Sequence, residues 1–258
     1  MTLATTSWGT GEPLALLHGF TGDGSAFDHL RDALGRFRVT APDLPGHGAS
    51  APATSWDATL EELRRVLPES AFFLAGYSMG ARLALAFTLR WPERVRALLL
   101  ESGSPGIGNP EERERRRAED EQLAGFVLRN GVAAFVARWE EHPTLAGLKD
   151  LSPAMLAAVR ERRLRQSPEG LASALRHLGS GAQPPLWDEL SQLRVPVLLV
   201  GGERDARFSE IARRMAAGIP GARISLVPSS GHSPHLEAPE RYASALATFF
   251  TQHGGDRR

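Results

Sequence analysis

The stretch "AFFLAGYSMGARLALAFTLR", residues 71–90, decides the fold. It opens with an apolar run, passes through Gly-x-Ser-x-Gly at residues 76–80, and continues with the spacing of a helix. A buried strand, a sharp turn and a helix are the context in which this motif holds a nucleophilic serine. Gly76 and Gly80 permit the tight turn, and we expect Ser78 to adopt a strained, exposed conformation at the positive end of the helix. The stretch therefore predicts a nucleophile elbow.

Apolar runs and helical patterns alternate along the rest of the chain. The runs predict strands at residues 13–18, 37–41, 71–76, 95–101, 195–202 and 222–228. The helical patterns predict helices near residues 26–34, 57–67, 79–90, 208–217 and 239–251. Continuous apolar strands are typical of a parallel sheet that is covered on both faces. The fold class is therefore α/β, a doubly wound and mostly parallel sheet.

The alternation stops between residues 102 and 190. Four helices are predicted there without an intervening strand, at residues 109–130, 131–141, 152–166 and 167–178. Asn109, Ser152 and Ser167 are candidate N-caps, each followed by a proline. Ligands of open α/β sheets bind outside the carboxyl ends of the strands. We therefore predict a core of residues 1–101 and 191–258, with residues 102–190 inserted as a helical lid.

Composition narrows the function classes. The 258 residues, 42% hydrophobic and 23% charged, are enough to bury a full core. No apolar run reaches the roughly 18 to 20 residues of a membrane span, and no signal-peptide pattern opens the chain. We therefore expect a cytoplasmic enzyme without membrane insertion. A net charge of zero argues against nucleic acid as a partner.

Cofactor chemistry is not indicated. Zero cysteines exclude disulfides, thiolate catalysis and cysteine-ligated metal centres. The sequence has neither the spacing of a metal site nor a phosphate-binding loop, so we expect no metal and no cofactor. The oligomeric state is left open.

A histidine and a carboxylate should accompany the serine. A serine hydroxyl reacts only when a histidine takes its proton and a carboxylate orients that histidine. In this context the acid and then the histidine follow the serine along the chain. Asp205 follows the strand predicted at residues 195–202, and His232 follows the last predicted strand. We therefore predict Ser78, Asp205 and His232 as the catalytic triad.

Other residues of these types leave alternatives. Glu101, at the end of the strand after the elbow helix, is the competing acid. We interpret His235 as a helix-start or surface residue, and His18 as a turn residue. The "DLPGHG" segment, residues 43–48, is interpreted as turn geometry. The remaining histidines have no suitable placement: His29, His142, His177 and His253.

We expect two backbone N–H groups to form an oxyanion hole. One donor follows the serine, and the other lies in a loop after an early strand. These residues are Met79 and, in "HGF" at residues 18–20, Phe20. Each such donor typically contributes about 3 kcal/mol of transition-state stabilisation. Serine, acid, histidine and oxyanion donors thus occur in the expected order and loops.

On these residues the sequence resembles the α/β-hydrolase superfamily over essentially its whole length. Four stretches together resemble the family of 2-succinyl-6-hydroxy-2,4-cyclohexadiene-1-carboxylate synthases: "GYSMGAR" (76–82), "ESGSPGIGNPEERERRRAED" (101–120), "GGERDARF" (201–208) and "GHSPHLEAPE" (231–240). The second stretch is the most specific, because generic esterases do not usually carry its Gly-x-x-Asn-x-Glu-x-Arg-x-x-Arg run. The resemblance implies a lyase that eliminates pyruvate in menaquinone biosynthesis.

The family's substrate is a small polycarboxylate, which implies cations in the site. A site that excludes water must hold carboxylates with fixed charges, and arginine matches a carboxylate bidentately. Arg82 lies four residues after Ser78 on the same helix face, where it would hold a carboxylate. The alternative is a surface arginine, since Lys149 is the only lysine of an arginine-rich chain. The family's substrate arginine in the lid carries over onto Arg116.

Further lid positions follow from the resemblance. Arg165 and Trp139 match substrate-binding positions of the family, and Tyr77 is expected to form a wall of the pocket. Leu145 stands where the family would have an aromatic residue, which leaves the shape of the apolar wall open. The neighbouring charges on the first lid helix are interpreted as a solvated face: Glu111, Glu112, Arg113, Glu114, Arg115 and Arg117.

The implied mechanism is elimination. His232 activates Ser78, which removes the proton next to the succinyl ketone while the oxyanion hole holds the ketone oxygen. The same residues would also hydrolyse an ester, so a carboxylesterase or C–C bond hydrolase is the alternative function. A non-catalytic binding module of the same fold is the alternative of another class, and the complete triad argues against it.

Overall fold

The structure is a computed structural model that describes residues 3–254. The strands are β1 (Thr5–Trp8), β2 (Glu12–Leu17), β3 (Phe37–Pro42), β4 (Phe72–Tyr77), β5 (Val95–Glu101), β6 (Val197–Gly202) and β7 (Arg223–Val227). Within the described residues they form one sheet in the order β1-β3-β2-β4-β5-β6-β7. β1 is antiparallel to β3, and all other neighbours are parallel.

All six predicted strands form, which confirms the doubly wound, mostly parallel sheet. The prediction missed β1. This strand has only four residues, which alternate between exposed and half-buried positions, and it pairs on one side alone. Such a short edge strand carries too weak an apolar pattern to be recognised from sequence.

The helices are α1 (Trp56–Val66), α2 (Met79–Arg90), α3 (Pro110–Glu140), α4 (Pro153–Leu164), α5 (Pro168–Leu178), α6 (Ala206–Gly218), α7 (Pro234–Glu237) and α8 (Pro239–Gln252). The helix predicted at residues 26–34 is wrong, because a 3-10 helix forms at Gly24–Leu30 instead. Gly24 lies against the backbone of Ala41 with no room for a Cβ, and the Asp23 side chain accepts a hydrogen bond from the Ser25 amide. These contacts favour a tight turn over a regular helix.

Apolar layers cover both faces of the sheet. On one face α1, α2 and α6 bury side chains such as Leu63 and Leu83. On the other face α8 and the 3-10 helix bury side chains such as Phe27 and Phe250. The sheet is therefore covered on both sides, which agrees with its continuous apolar strands.

The segment between β5 and β6 is helical. The three predicted N-caps, Asn109, Ser152 and Ser167, each accept a hydrogen bond from a backbone amide of the first turn. α3 bends at Gly131, whose backbone has φ 77° and ψ 170°, so it corresponds to the first two predicted helices. The division into core and lid stays a prediction. Within residues 3–254, no helix is long and apolar enough to cross a membrane.

Candidate active site

Ser78 lies in a strained turn between β4 and α2. Its backbone has φ 50° and ψ −106°, and its amide donates to the Glu101 carbonyl at 2.8 Å. A Cβ on Gly76 would clash with the Gly80 backbone, and a Cβ on Gly80 would clash with the Leu17 carbonyl. Strand and helix can approach this closely only because both positions are glycine. The turn directs the Ser78 side chain into a cavity.

The structure brings Ser78, His232 and Asp205 together. His232 Nε2 lies 3.2 Å from Ser78 Oγ, and His232 Nδ1 lies 2.7 Å from Asp205 Oδ2. Asp205 caps α6, since its other carboxylate oxygen accepts the Phe208 amide at 3.2 Å. With Asp205 ionised, Nδ1 carries the proton and Nε2 is free to accept from the serine hydroxyl. This arrangement can transfer a proton from Ser78 to His232.

The loop after β2 lies beside the serine. A Cβ built on Gly19 would lie 3.5 Å from the Ser78 Cβ, and Phe20 and Met79 both line the cavity. His18 holds this loop, because Nδ1 donates to the Gly19 carbonyl at 2.8 Å and Nε2 accepts the Leu44 amide at 2.9 Å. Burial lowers the pKa of His18 to about 4, so its ring is neutral and structural at neutral pH.

The cavity above Ser78 has a volume of about 330 Å³. This is at the lower end of the range for small-molecule sites. Its walls combine apolar side chains, among them Trp139 and Leu145, with five arginines from α2, α3, α4 and α6: Arg82, Arg116, Arg162, Arg163 and Arg207. A cavity with this many cations is suited to a ligand that carries several negative charges.

Arg82 is the most unusual of these cations. It is 9% exposed, and its Nη1 donates to the Gln183 side-chain oxygen at 3.2 Å. Among the described residues, no ion pair joins it to a carboxylate. Burial and then the nearby charge of Arg116 lower the pKa of Arg82 to about 10, so it remains a cation at neutral pH. A buried cation in this position is suited to a carboxylate from a ligand.

Arg116 lies next to Arg82 but has a partner. Its Nε donates to Asp120 Oδ1 at 2.8 Å, and the Asp120 side chain is only 2% exposed. Asp120 also accepts the Gly181 amide at 3.3 Å. The carboxylate thus holds Arg116 at the wall of the cavity and offsets part of its charge.

Three comparisons place the chain among known proteins. The model of the alpha/beta hydrolase family matches residues 14–245. The chain belongs to this family. A 2-succinyl-6-hydroxy-2,4-cyclohexadiene-1-carboxylate synthase from Escherichia coli is 31% identical over 91% of this chain and 92% of its own length. A Bacillus subtilis (strain 168) protein that is provisionally named as the same synthase is 38% identical over 93% of this chain and 90% of its own.

The structural comparison agrees with these sequence matches. The structure of MenH from S. aureus superposes with a TM-score of 0.93 and 31% sequence identity, over 98% of this chain and 99% of that one. Within the alpha/beta hydrolases, the chain therefore belongs to the family of these synthases. The predicted resemblance is confirmed at this level, whereas the roles of individual residues stay predictions.

Most predicted substrate residues of this synthase-family chain line the cavity. Arg82, Arg116, Trp139 and Tyr77 all do so. The Trp139 ring packs against Phe20 and stacks on Phe135, with centroid distances of 5.3 and 5.9 Å. The Tyr77 hydroxyl lies 2.6 Å from Ser233 Oγ. Leu145 is buried beside Leu148 and so forms part of the apolar wall in place of an aromatic residue.

Arg165 is an exception. Its side chain is 54% exposed, pairs with Glu161 at 3.2 Å and Asp23 at 3.5 Å, and does not line the cavity. Arg162 and Arg163, which the sequence analysis missed, line the cavity instead. Helical spacing carried a usable signal, because Arg163 follows the buried Val159 by four residues.

Arg207, at the start of α6, was also missed. Its side chain is exposed and lines the cavity near Phe208. Its position two residues after Asp205, in the first turn of α6, was the available signal in the sequence. Within residues 3–254, no group of three or more histidine, aspartate or glutamate side chains is arranged to hold a metal ion.

For His235, the structure decides between the two predicted alternatives. It lies in α7 as a helix-start residue, but it is buried, at 2% exposure, and is not a surface residue. Its Nδ1 lies 2.8 Å from Glu101 Oε1. Glu101, the competing acid, is therefore bonded to His235, while Asp205 is bonded to His232. The geometry favours Asp205 over Glu101 as the acid of the predicted triad.

Proposed function

We propose that this chain eliminates pyruvate from 2-succinyl-5-enolpyruvyl-6-hydroxy-3-cyclohexene-1-carboxylate and releases 2-succinyl-6-hydroxy-2,4-cyclohexadiene-1-carboxylate. Its membership of the synthase family supports this reaction. The observation that carries the proposal is the contact of Ser78 with His232 at the base of an arginine-lined cavity. A lyase needs the contact between Ser78 and His232 to move a proton, and a polycarboxylate substrate needs the arginines of the cavity to bind.

The arginines fall into groups that would bind different carboxylates. Arg82 and Arg116 are close enough for their charges to interact, on the side of the cavity formed by α2 and α3. Arg162 and Arg163 come from α4, where Arg162 also donates to Ser25. A substrate with carboxylates on the ring, the succinyl arm and the enolpyruvyl arm can therefore be held at separate points. Each charge-assisted hydrogen bond would contribute roughly 1.5 to 3 kcal/mol.

The first chemical event in this proposal is removal of the C2 proton of the ring. His232 accepts the hydroxyl proton of Ser78, and Ser78 Oγ takes the C2 proton, which is acidic because C2 is next to the succinyl ketone. Asp205 stabilises the imidazolium that forms. The N–H groups of Phe20 and Met79 hold the charge that develops on the ketone oxygen.

The second event is loss of the leaving group. The electron pair from C2 forms the C2–C3 double bond, the C3–C4 double bond moves to C4–C5, and the C5–O bond breaks. The enolpyruvate that departs takes up a proton and becomes pyruvate. This sequence leaves the 2,4-diene of the product and requires no acyl-enzyme.

Ester hydrolysis is the second candidate, because the same geometry would let Ser78 attack a carbonyl. The test is to measure pyruvate release with lactate dehydrogenase and NADH, on substrate generated in situ, beside the turnover of a panel of nitrophenyl esters. We expect rapid pyruvate release, poor ester turnover, and loss of roughly 10³-fold or more of kcat in Ser78→Ala. Ester turnover with a burst and no pyruvate would instead establish a hydrolase.

The same assay tests a binding module. A non-catalytic protein would release no pyruvate, and Ser78→Ala would leave its ligand affinity unchanged.

We also propose that the partner is a small-molecule polycarboxylate and that the protein is cytoplasmic. Fractionation of the native cells with an antibody to the chain would check that location.

A further inference from the structure

A second acid–histidine pair lies behind the predicted triad. Glu101 is fully buried, and its Oε1 accepts two hydrogen bonds from one residue, His235. The donors are the His235 backbone amide, at 2.9 Å, and the ring Nδ1, at 2.8 Å. A buried carboxylate with two N–H donors on one oxygen holds its partner in both position and orientation. The proposed chemistry makes no use of this pair.

Glu101 contacts both loops that carry the reacting groups. Its backbone carbonyl accepts the Ser78 amide at 2.8 Å, at the tip of the elbow. Its side chain holds His235, three residues after His232 in the adjacent loop. One residue at the end of β5 therefore joins the serine turn to the histidine loop through two different groups.

Neighbouring contacts hold the same two loops together. Tyr77, which precedes Ser78, bonds through its hydroxyl to Ser233, which follows His232, at 2.6 Å. The Tyr77 ring also packs against the His235 ring, with centroids 4.5 Å apart. The loop is thus held from the serine side through both Ser233 and His235.

The far side of His235 is also bonded. Its carbonyl accepts the Nε2 proton of His29 at 2.7 Å. Within the histidine loop, the Glu237 carboxylate accepts the amides of Gly231 and Ser233, at 2.6 and 2.9 Å. These are the residues on either side of His232. The loop is thus bonded to itself on both sides of His232, so its place relative to Ser78 depends on the contacts that anchor it to β4 and β5.

We propose that Glu101 is a positioning residue that sets the distance between Ser78 and His232. This distance, 3.2 Å, is at the long end of a normal hydrogen bond, so a shift of a few tenths of an ångström would lose it. Glu101 acts through His235 and takes no part in proton transfer. As a statement about catalysis, the inference rests on the proposed function.

The test compares Glu101→Gln with Glu101→Leu. The glutamine oxygen can still accept both N–H groups of His235, so Glu101→Gln should keep kcat within about threefold of wild type. Glu101→Leu removes the acceptor and should lower kcat by roughly 10- to 100-fold with KM changed less than threefold. Glu240→Gln, an exposed carboxylate at the start of α8, is the matched control.

A second readout does not depend on the native substrate. The rate at which a fluorophosphonate labels Ser78 reports the Ser78–His232 contact directly. We expect Glu101→Leu to slow this labelling by about the same factor as kcat. If labelling falls but the wild type releases no pyruvate, the proposed function fails and the positioning role stands. If pyruvate is released and neither rate depends on Glu101, the positioning role fails alone.

Two further variants keep the inference open to refutation. If Glu101→Leu does not fold, His235→Leu removes the ring donor and should slow labelling by roughly five- to twentyfold. An unchanged labelling rate in folded His235→Leu would overturn the proposal. Asp205→Asn shows how much kcat falls when the acid of the predicted triad is replaced, and we expect a loss of roughly 10⁴-fold. If Glu101→Gln loses as much, Glu101 is itself a catalytic acid, and the proposal is wrong.

Discussion

The sheet and the helical segment between β5 and β6 position the predicted site residues in different ways. Ser78, Asp205 and His232 follow β4, β6 and β7, where the register of parallel strands brings the loops to one edge. The arginines of α3 and α4 instead project from helices that are held by small apolar clusters and by ion pairs such as Arg116–Asp120. Backbone geometry places the predicted triad, whereas side-chain contacts place the cations of the cavity.

If the proposed function holds, this difference predicts that chemistry and recognition are separable in this molecule. Changes at the sheet edge should act on kcat, because they alter the reacting atoms. Changes in the helical segment should act mainly on KM, because each removes one of several contacts to the ligand. Arg82 is the residue that spans the two regions, since it lies on the elbow helix but faces the cavity beside Arg116.

The largest of these effects is expected at Arg82. Arg82→Met keeps the length of the side chain but removes the charge, so kcat/KM should fall by roughly 10- to 100-fold through loss of one charge-assisted contact. The matched control is Arg90→Met, an exposed arginine at the end of the same helix, for which we expect no change. Steady-state kinetics of pyruvate release measure both. Equal kinetics in the two variants would remove the role of Arg82 in binding.

The second effect is on stability in acid, which should depend on buried histidines beside the sheet. Burial lowers the pKa of His18 from 6.5 to about 4 and that of His47 to about 3, and both lie on the sheet side. The unfolded chain therefore binds more protons between pH 6.5 and 4. The contribution of the neutral His18 ring to the free energy of unfolding is fully present above pH 6.5. It is lost as the pH drops through this window, which lowers the free energy of unfolding by roughly 1 to 3 kcal/mol.

Urea unfolding at several pH values measures this dependence. Between pH 6.5 and 4, replacement of His18 by glutamine should reduce the pH dependence of the unfolding free energy. The reduction should be at most that of one bound proton, about 1.4 kcal/mol per pH unit. His177→Gln, in the helical segment, is the control and should leave the slope unchanged. A slope that survives His18→Gln intact would place the acid-sensitive groups elsewhere.

The smallest effect concerns Arg163, which lies in α4, and Arg165, which directly follows this helix. Arg163 has a 7% exposed side chain at the cavity, whereas Arg165 is 54% exposed and paired with Asp23 and Glu161. Arg163→Met should raise KM by roughly three- to tenfold with little change in kcat, and Arg165→Met should leave both within twofold. The reverse order would mean that the helical segment closes differently over bound substrate.

Sequence reasoning succeeded where one local pattern implied one position. The strand–turn–helix pattern around Ser78 leaves little freedom, because only glycine fits at residues 76 and 80. The short edge strand β1 and the 3-10 helix at Gly24–Leu30 were not predicted, since their form depends on pairing and on tight contacts with distant backbone.

The sequence alone predicted the arrangement at the sheet edge, which is a serine in an elbow with an acid and a histidine in the loops after later strands, and it carried the resemblance to the synthase family. Only the tertiary structure decided between equivalent side chains. It joined Glu101 to His235 instead of His232, and it placed Arg163 at the cavity and Arg165 outside it. The physical reason is that strand ends converge by backbone hydrogen bonding, whereas the direction of a side chain on a packed helix depends on every surface around it.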